Sequence, residues 1–352
     1  MRRCLQSAMI IRFGYVAMSV HIKNASPSKT MTATSFQKLA DKEAAIHKLE
    51  RIAAENLQNT LRLLKHNKAE QIHIYRLSSK LIPLYTHELL NDWNPLDELE
   101  PDFRAIGDYA KINGMRLSFH PDHFTVISTP REDVLASSHK DLDMHVSMLE
   151  RMGLDDRYKC NIHIGGAYGN KTVSHERFIR QFNALPERIR RRITLENDDK
   201  TFTALETLEA AEAVGVPMVL DIHHHAVNND GERIEDLWDR IQNTWAVEKV
   251  RAKAAQRDAN EADSGEEATN LLLTPKIHVS SPKSEKDPRG HADYVDVDFF
   301  MDFARVIAPQ TERLDCMIEA KQKDDALFRL MKDIVTKEGV RQIDGSTVEL
   351  SV

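Results

Sequence analysis

Cysteine is scarce: the 352-residue chain has three, Cys4, Cys160 and Cys316. They are too few and too scattered for a disulfide framework, and none has the CxxC spacing of a zinc site. A reducing compartment, the cytoplasm, is the expectation, with Cys160 and Cys316 as buried thiols in apolar, strand-like runs. Long apolar runs are missing as well. None approaches the roughly 20 residues of a membrane span, so no membrane association is expected. Positive charge is not in excess either: 48 Lys and Arg stand against 55 Asp and Glu, a formal net charge of −7. A phosphate-binding face wants cations, so this balance argues weakly against nucleic acid. That argument loses force if several carboxylates are buried around metal ions. The opening MRRCLQSAMI is basic but lacks an apolar core segment and a small-residue cleavage site. Residues 1–9 are expected to be an extension with no role in the fold, and residues 10–345 to be one domain.

Short β-branched runs alternate with longer stretches of helical period. The strand candidates are residues 10–18 (IIRFGYVAM), 71–78 (QIHIYRLS), 115–119 (MRLSF) and 159–164 (KCNIHI). They continue with 192–197 (RITLEN), 216–222 (VPMVLDI), 274–280 (TPKIHVS) and 314–320 (LDCMIEA). Helical patterns lie between them at 40–67, 103–114, 134–153, 176–189 and 207–215, the last ending on Gly215 as suits a helix C-terminus. Eight such units predict an α/β fold: a single TIM-type (β/α)8 barrel with its site at the C-terminal face of the strands. The polar, weakly patterned segment 253–270 is expected to be a mobile surface insertion.

Polar residues recur at the carboxyl ends of these strands. His120 precedes Pro121, which keeps it out of the helical region; His163 precedes the two glycines of IGGAYGNK, which admit a close ligand. Glu196, Asp221, His278 and Glu319 end the later strands, and His291 lies in the loop after the seventh. In a TIM barrel these ends share one mouth. Carboxylates packed together there would repel and take up protons unless metal ions compensate. Imidazole and carboxylate without thiolate suit Zn2+, Mn2+ or Fe2+. A Glu bridging ions roughly 3.5–4 Å apart is an arrangement for in-line phosphoester hydrolysis. Each residue alone has a plainer reading. A lone strand-end His73 is more often structural, and His47, His66, His139, His145 and His175 are expected to be solvated or packing residues. Recurrence at one geometric level carries the metal reading. Within LDIHHHAVNN, strand alternation would make His223 the partner of Asp221.

The strings LSFHPDHFTVISTP, NIHIGGAYGNK, LENDDK, LDIHHHAVN, KIHVSSPKSE, HADYVD and MIEAKQKD resemble those of the UV damage endonucleases. These are metal-dependent TIM-barrel DNA repair enzymes related to endonuclease IV. The resemblance runs in order from about Arg12 to about Arg341 and takes in FGYVAMS and RLSSKLIPLYTH. It implies three divalent ions, Mn2+ first, with Zn2+, Mg2+ or Co2+ as alternatives. His120, His163 and Glu196 would hold one ion. Glu196 would bridge to a second, also held by Asp221, His278 and Glu319, and His224 and His291 would hold the third. Lys276 would be modified or would support that third ion, completing a catalytic set with Glu196, Asp221 and Glu319. The implied reaction is incision of double-stranded DNA immediately 5′ to a UV photoproduct, leaving 3′-hydroxyl and 5′-phosphate ends, by a monomer without an obligate protein partner.

His123 and Phe124 match the family's polar–aromatic lesion probe, and Tyr15, Ser19, Arg76, Lys171 and Lys283 are further DNA-contact candidates. Two departures concern lesion handling: His123 stands where relatives usually carry Gln, and Ser19 where they often carry Asn. The family pattern pairs Asp221 with His224 instead of His223, which requires the strand to stop near Asp221 and the chain to turn. Lys80, Lys200, Lys286, Arg289, Lys321 and Lys323 beside the strand ends would give an acidic chain a local basic groove. Three rival readings stand beside this one. An abasic-site endonuclease would share the metals and differ in substrate. A xylose-isomerase-like isomerase or epimerase would need one or two ions. A non-catalytic lesion-binding protein would not need the full ligand set.

Overall fold

Every one of the eight expected runs forms a strand in the computed structural model, which describes residues 8–258 and 264–352. They are β1 (Ala8–Val16), β2 (Ile74–Arg76), β3 (Arg116–Phe119), β4 (Lys159–His163), β5 (Ile193–Glu196), β6 (Met218–Asp221) and β7 (Lys276–Val279). A two-stranded ribbon, β8 (Pro282–Ser284) and β9 (Asp287–His291), precedes the eighth barrel strand, β10 (Arg313–Ile318). Consecutive barrel strands pair in parallel, and Ile10–Tyr15 of β1 pair with Arg313–Ile318 of β10 to close the ring. The result is the TIM-type (β/α)8 barrel. Its strands are almost wholly buried because helices cover their outer faces.

The helices begin where the sequence supplies caps. The Asp41 carboxylate accepts from the amides of Glu43 and Ala44 and starts helix Lys42–Ala69. Leu49, Ala53, Leu57 and Leu64 form its buried stripe. Helix Ala204–Val214 opens on a capping box between Thr203 and Glu206 and closes on Gly215 at φ 69°.

Alternation along the strands stacks the barrel interior in layers. At the base, the Arg12 guanidinium makes two hydrogen bonds of 2.8 Å to the fully buried Asp315, and Arg116 adds a third at 2.5 Å. Burial would raise the Asp315 pKa, but the two guanidiniums outweigh it and hold the carboxyl below its ordinary value. One step up, Lys276 Nζ lies 3.2 Å from Ser118 Oγ, and Thr194 Oγ1 donates to Asn161 Oδ1 at 2.7 Å. A further step along β3, β4, β5, β7 and β10 reaches His120, His163, Glu196, His278 and Glu319.

Three boundaries differ from expectation. β1 starts at Ala8, and Ala8 and Met9 pair with Ser351 and Leu350, with Met9 fully buried. The fold likewise continues past residue 345: β11 (Val340–Gln342) and β12 (Thr347–Ser351) form an antiparallel hairpin laid along β1. Segment 253–270, expected to be a mobile surface insertion, falls where described on the end of helix Ile234–Asp258 and the start of helix Ser264–Leu272, tied by Lys253 to Glu266 at 2.6 Å. Its Ala, Glu and Lys are good helix formers, so polarity did not mean irregular chain. Residues 259–263, like residues 1–7 and Cys4, lie outside the described residues. Cys160 and Cys316 are buried free thiols. No helix among the described residues is long and apolar enough to cross a membrane.

Candidate metal centre and DNA-facing cleft

Four of the mouth histidines are oriented by backbone carbonyls. His120 Nδ1 donates to Pro121 O at 2.9 Å, His163 Nδ1 to Glu196 O at 3.1 Å, and His224 Nδ1 to Asn197 O at 2.9 Å. His291 Nδ1 donates to Glu319 O at 2.9 Å. Each bond fixes the orientation of the ring and leaves Nε2 for another partner, the usual preparation of a histidine ligand.

Among the described residues, ligand atoms converge in three groups whose members lie within 4.8 Å of one another: His120, His163 and Glu196; Glu196, Asp221 and His224; and Glu196, His278 and Glu319. Glu196 belongs to all three. The distribution differs from the expected one in two ways. His224 joins Asp221 and Glu196, and Asp221 is not grouped with His278 and Glu319. His291 joins none of the three, although its ring centroid lies 6.2 Å from that of His224.

The donor set fits divalent ions. Glu196 Oε1, Asp221 Oδ2 and His278 Nδ1 are all buried without a hydrogen-bond partner. His278 Nδ1 stands 3.1 Å from Glu196 Oε2 and 3.0 Å from Glu319 Oε1, close enough for charge attraction yet outside hydrogen-bond geometry. Three orphaned polar atoms in one buried cluster are costly unless an ion satisfies them. Electrostatics point the same way. Burial alone would lower the His224 and His278 pKa values. For His224, Asp221 and Glu196 outweigh it and raise the value to about 9. For His278, Glu196 and Glu319 do the same, again to about 9. Burial also opposes charge on Glu196, but His278 and His163 hold its pKa well below the ordinary carboxylate value.

Asp221 ends β6 and caps the short helix Ile222–Val227 by accepting from the His224 amide at 2.8 Å. The strand therefore stops at Asp221, and one helical turn swings His224 into the site. His223 is spent elsewhere: Nε2 donates to Pro288 O at 2.7 Å and Nδ1 accepts from Ser280 Oγ at 2.6 Å. His225 sits half-buried on the same helix.

The groups open into a cleft of about 540 Å³ lined by His120, His163, His224 and His291, together with Lys200 and Arg289. On its rim His123 and Phe124 project, Phe124 with 74% of its surface exposed, their ring centroids 4.0 Å apart. The remaining DNA-contact candidates are placed less simply. Tyr15 is fully buried with its hydroxyl donating to Asn67 Oδ1 at 2.7 Å, so its role is in the core. Ser19 Oγ donates to the buried Asp324 carboxylate. Arg76 donates to Glu319, joining the candidate ligand cluster instead of a groove. Lys171 pairs with Glu206 at 2.7 Å and Lys283 with Asp287 at 3.3 Å. Lys276 is buried, and burial, with Arg116 nearby, pushes its ammonium toward the neutral amine.

Two asparagines escaped the sequence reading. Asn161 Nδ2 donates to Glu196 Oε2, and Asn197 clamps Asp221 through its own side chain, donating to Asp221 O at 3.0 Å and accepting from Asp221 N at 2.9 Å. Their signal was available: each lies two residues before, or one after, a predicted ligand on a strand.

A family model described as UV-endonuclease UvdE matches residues 11–270 and 265–351. The chain is 41% identical over 344 residues to a UV DNA damage endonuclease of Halalkalibacterium halodurans, covering 97% of this chain and 100% of that protein. A UV DNA damage endonuclease of Bacillus cereus is 38% identical over 341 residues, with 97% and 100% covered. Among solved structures, SacUVDE superposes with a TM-score of 0.74 at 28% identity, over 93% of this chain and 97% of that one. Endonuclease IV from Thermus thermophilus shares the fold, with a TM-score of 0.52 at 12% identity over 92% and 99%. By this near-complete match the chain belongs to the UV-endonuclease UvdE family.

Proposed function

We propose that this protein incises double-stranded DNA immediately 5′ to UV photoproducts, both cyclobutane dimers and 6-4 products, by multi-metal hydrolysis. The cut leaves a 3′-hydroxyl and a 5′-phosphate. The observation that carries this reading is the sharing of one buried carboxylate, Glu196, by three ligand groups at the mouth of the barrel. Bound divalent ions, Mn2+ foremost, would supply Lewis-acid activation of water and neutralise charge building on the phosphate.

The chain's own residues do the rest. Glu196, with Asp221, Glu319 and the five histidines at 120, 163, 224, 278 and 291, would hold three ions. Asn161 keeps the Glu196 carboxylate from rotating, and Asn197 fixes the backbone of Asp221 at the end of its strand. Lys200 and Arg289 line the same cleft and meet backbone phosphates, which reconciles a net charge of −7 with a DNA substrate. Lys276, held toward a neutral amine in the layer beneath, is the residue assigned to modification or to support of an ion. His123 and Phe124 act as the probe. A dimerised step stacks and pairs poorly, so separating it from the duplex costs less than separating normal bases. The exposed Phe124 ring wedges into that step. The reading places the protein in the cytoplasm as a monomer.

Purified protein with Mn2+ is expected to nick UV-irradiated supercoiled plasmid and to leave unirradiated plasmid intact, as read by conversion to the open-circular form. Equal nicking of both plasmids, or none with Mn2+, Zn2+, Mg2+ or Co2+, would sink the reading.

A further inference from the structure

All 22 aromatic side chains of Phe, Tyr and Trp lie within the described residues, and just two of them are exposed: Phe124 and Tyr168. The two sit on neighbouring loops at the mouth. Phe124 follows β3, and Tyr168 follows β4 in the stretch GGAYGN. The loops are pressed together at Gly165, whose φ is +116° and where a Cβ would stand 2.4 Å from Val126 Cγ1. Gly166 lines the metal cleft, and a Cβ there would touch the Tyr168 ring at 3.5 Å. The ring is thus immediately beside the cleft wall.

Tyr168 is also held in a costly conformation. Its φ is 47°, in the left-handed region that L residues with large side chains avoid. Such strain persists where the surroundings over-determine it and concentrates at ligand-contacting sites. Packing burial does not explain it, since the residue is 46% exposed. One face of the ring is backed by the Arg177 guanidinium, 5.9 Å from the centroid, and Arg177 is itself fixed to Ser128 O at 2.8 Å. A strained, solvent-facing ring with a cation behind it, beside the cleft, has the make-up that base stacking uses.

We infer that Tyr168 is a second DNA-contacting aromatic, which stacks on a nucleotide next to the lesion and seats the strand over the metal cleft while Phe124 probes the damaged step. This rests on the proposed endonuclease function. Tyr168 touches bound DNA and not the reacting phosphate, so its loss weakens binding more than chemistry.

The test uses the full chain with Mn2+ and a duplex oligonucleotide carrying one cyclobutane dimer, comparing wild type with Tyr168→Asn, Tyr168→Ala and Tyr168→Phe. Asn tolerates the left-handed backbone, so it removes the ring without relocating the loop. Stacking on one base is worth about 1–3 kcal/mol, which converts to a rise in KM of about 5- to 140-fold for both Asn and Ala. kcat should change by about twofold or less, and Phe, which keeps the ring, should restore the wild-type KM. The logarithmic salt slope of binding should be the same for all four proteins, because stacking releases no counterions. If wild type cuts and the Asn and Ala variants match its KM, or if kcat falls in place of a KM rise, Tyr168 is not a platform. A Phe variant as weak as Asn would overturn stacking in favour of a hydroxyl contact. If wild type does not cut the damaged duplex, the endonuclease reading itself fails.

Discussion

Glu196→Gln is expected to lower incision of UV-irradiated DNA by about a thousandfold or more, the upper part of the range for removing one preorganised group that stabilises developing charge. The loss is larger than for any single histidine because Glu196 alone belongs to all three ligand groups. A neutral amide offers one acceptor oxygen in place of two, so it cannot serve all three. An NH2 end placed at Oε2 would also confront a donor, since Asn161 already donates there. The fold should survive. Gln is nearly isosteric, and the barrel is closed by the pairing of β1 with β10, which Glu196 does not touch. The checks are kcat/KM on damaged duplex across a metal titration, with a thermal melt and a damaged-DNA binding curve as controls. Wild-type incision by the variant would remove Glu196 from the chemistry.

Metal loading is expected to depend steeply on pH. In the metal-free chain the His224 and His278 pKa values stand at about 9, burial being outweighed by Asp221 and Glu196 for the first and by Glu196 and Glu319 for the second. Both rings are therefore protonated at neutral pH, and an ion must displace a proton from each. Below pH 9 the apparent affinity of each of these two ions should rise about tenfold per pH unit, and flatten above it. Loading both should release two protons near pH 7.5, measurable by calorimetry in buffers of different ionisation enthalpy. The linkage has the opposite sign for the empty protein. Both folded values are raised above the ordinary 6.5, so these protons stabilise the fold fully below about pH 6.5, and that contribution is lost as pH rises through 9. Melting of metal-stripped protein should thus shift downward between pH 6.5 and 9. The metal-loaded protein should shift upward over the same window. No proton release on Mn2+ binding would contradict the assignment of His224 and His278 as ligands.

Much of the site was legible because barrel strands are short and regular. His120, His163, Glu196, His278 and Glu319 each close an apolar run, and in a barrel that position has one destination, the mouth. His224 was harder. Alternation favoured His223, and the choice turned on whether the chain bends at Asp221, which it does because the Asp221 carboxylate caps the following helix. Partnerships between distant segments were not legible. Nothing local in FGYVAMS tells that Tyr15 is spent on Asn67, or that Ser19 answers to Asp324, 305 positions further along the chain. Arg76 reads as a surface cation until β2 and β10 stand side by side across β1. Met9 fell within the expected extension, yet it pairs with Leu350 at the other end of the chain. Exposure was invisible as well: the stretch GGAYGN signals a turn, but not that its tyrosine is one of two uncovered aromatics.

The central claim is that the metal cluster cuts DNA on the 5′ side of a UV photoproduct. The most direct measurement gives the protein, with Mn2+, two end-labelled duplexes: one with a single cyclobutane dimer at a known position, the other with a single abasic site. The account expects one cut in the first, immediately 5′ to the dimer, with a 3′ end that a DNA polymerase extends without further processing, and little or no cutting of the second. Cutting of the abasic duplex alone, a cut on the 3′ side of the dimer, or a blocked 3′ end would contradict it.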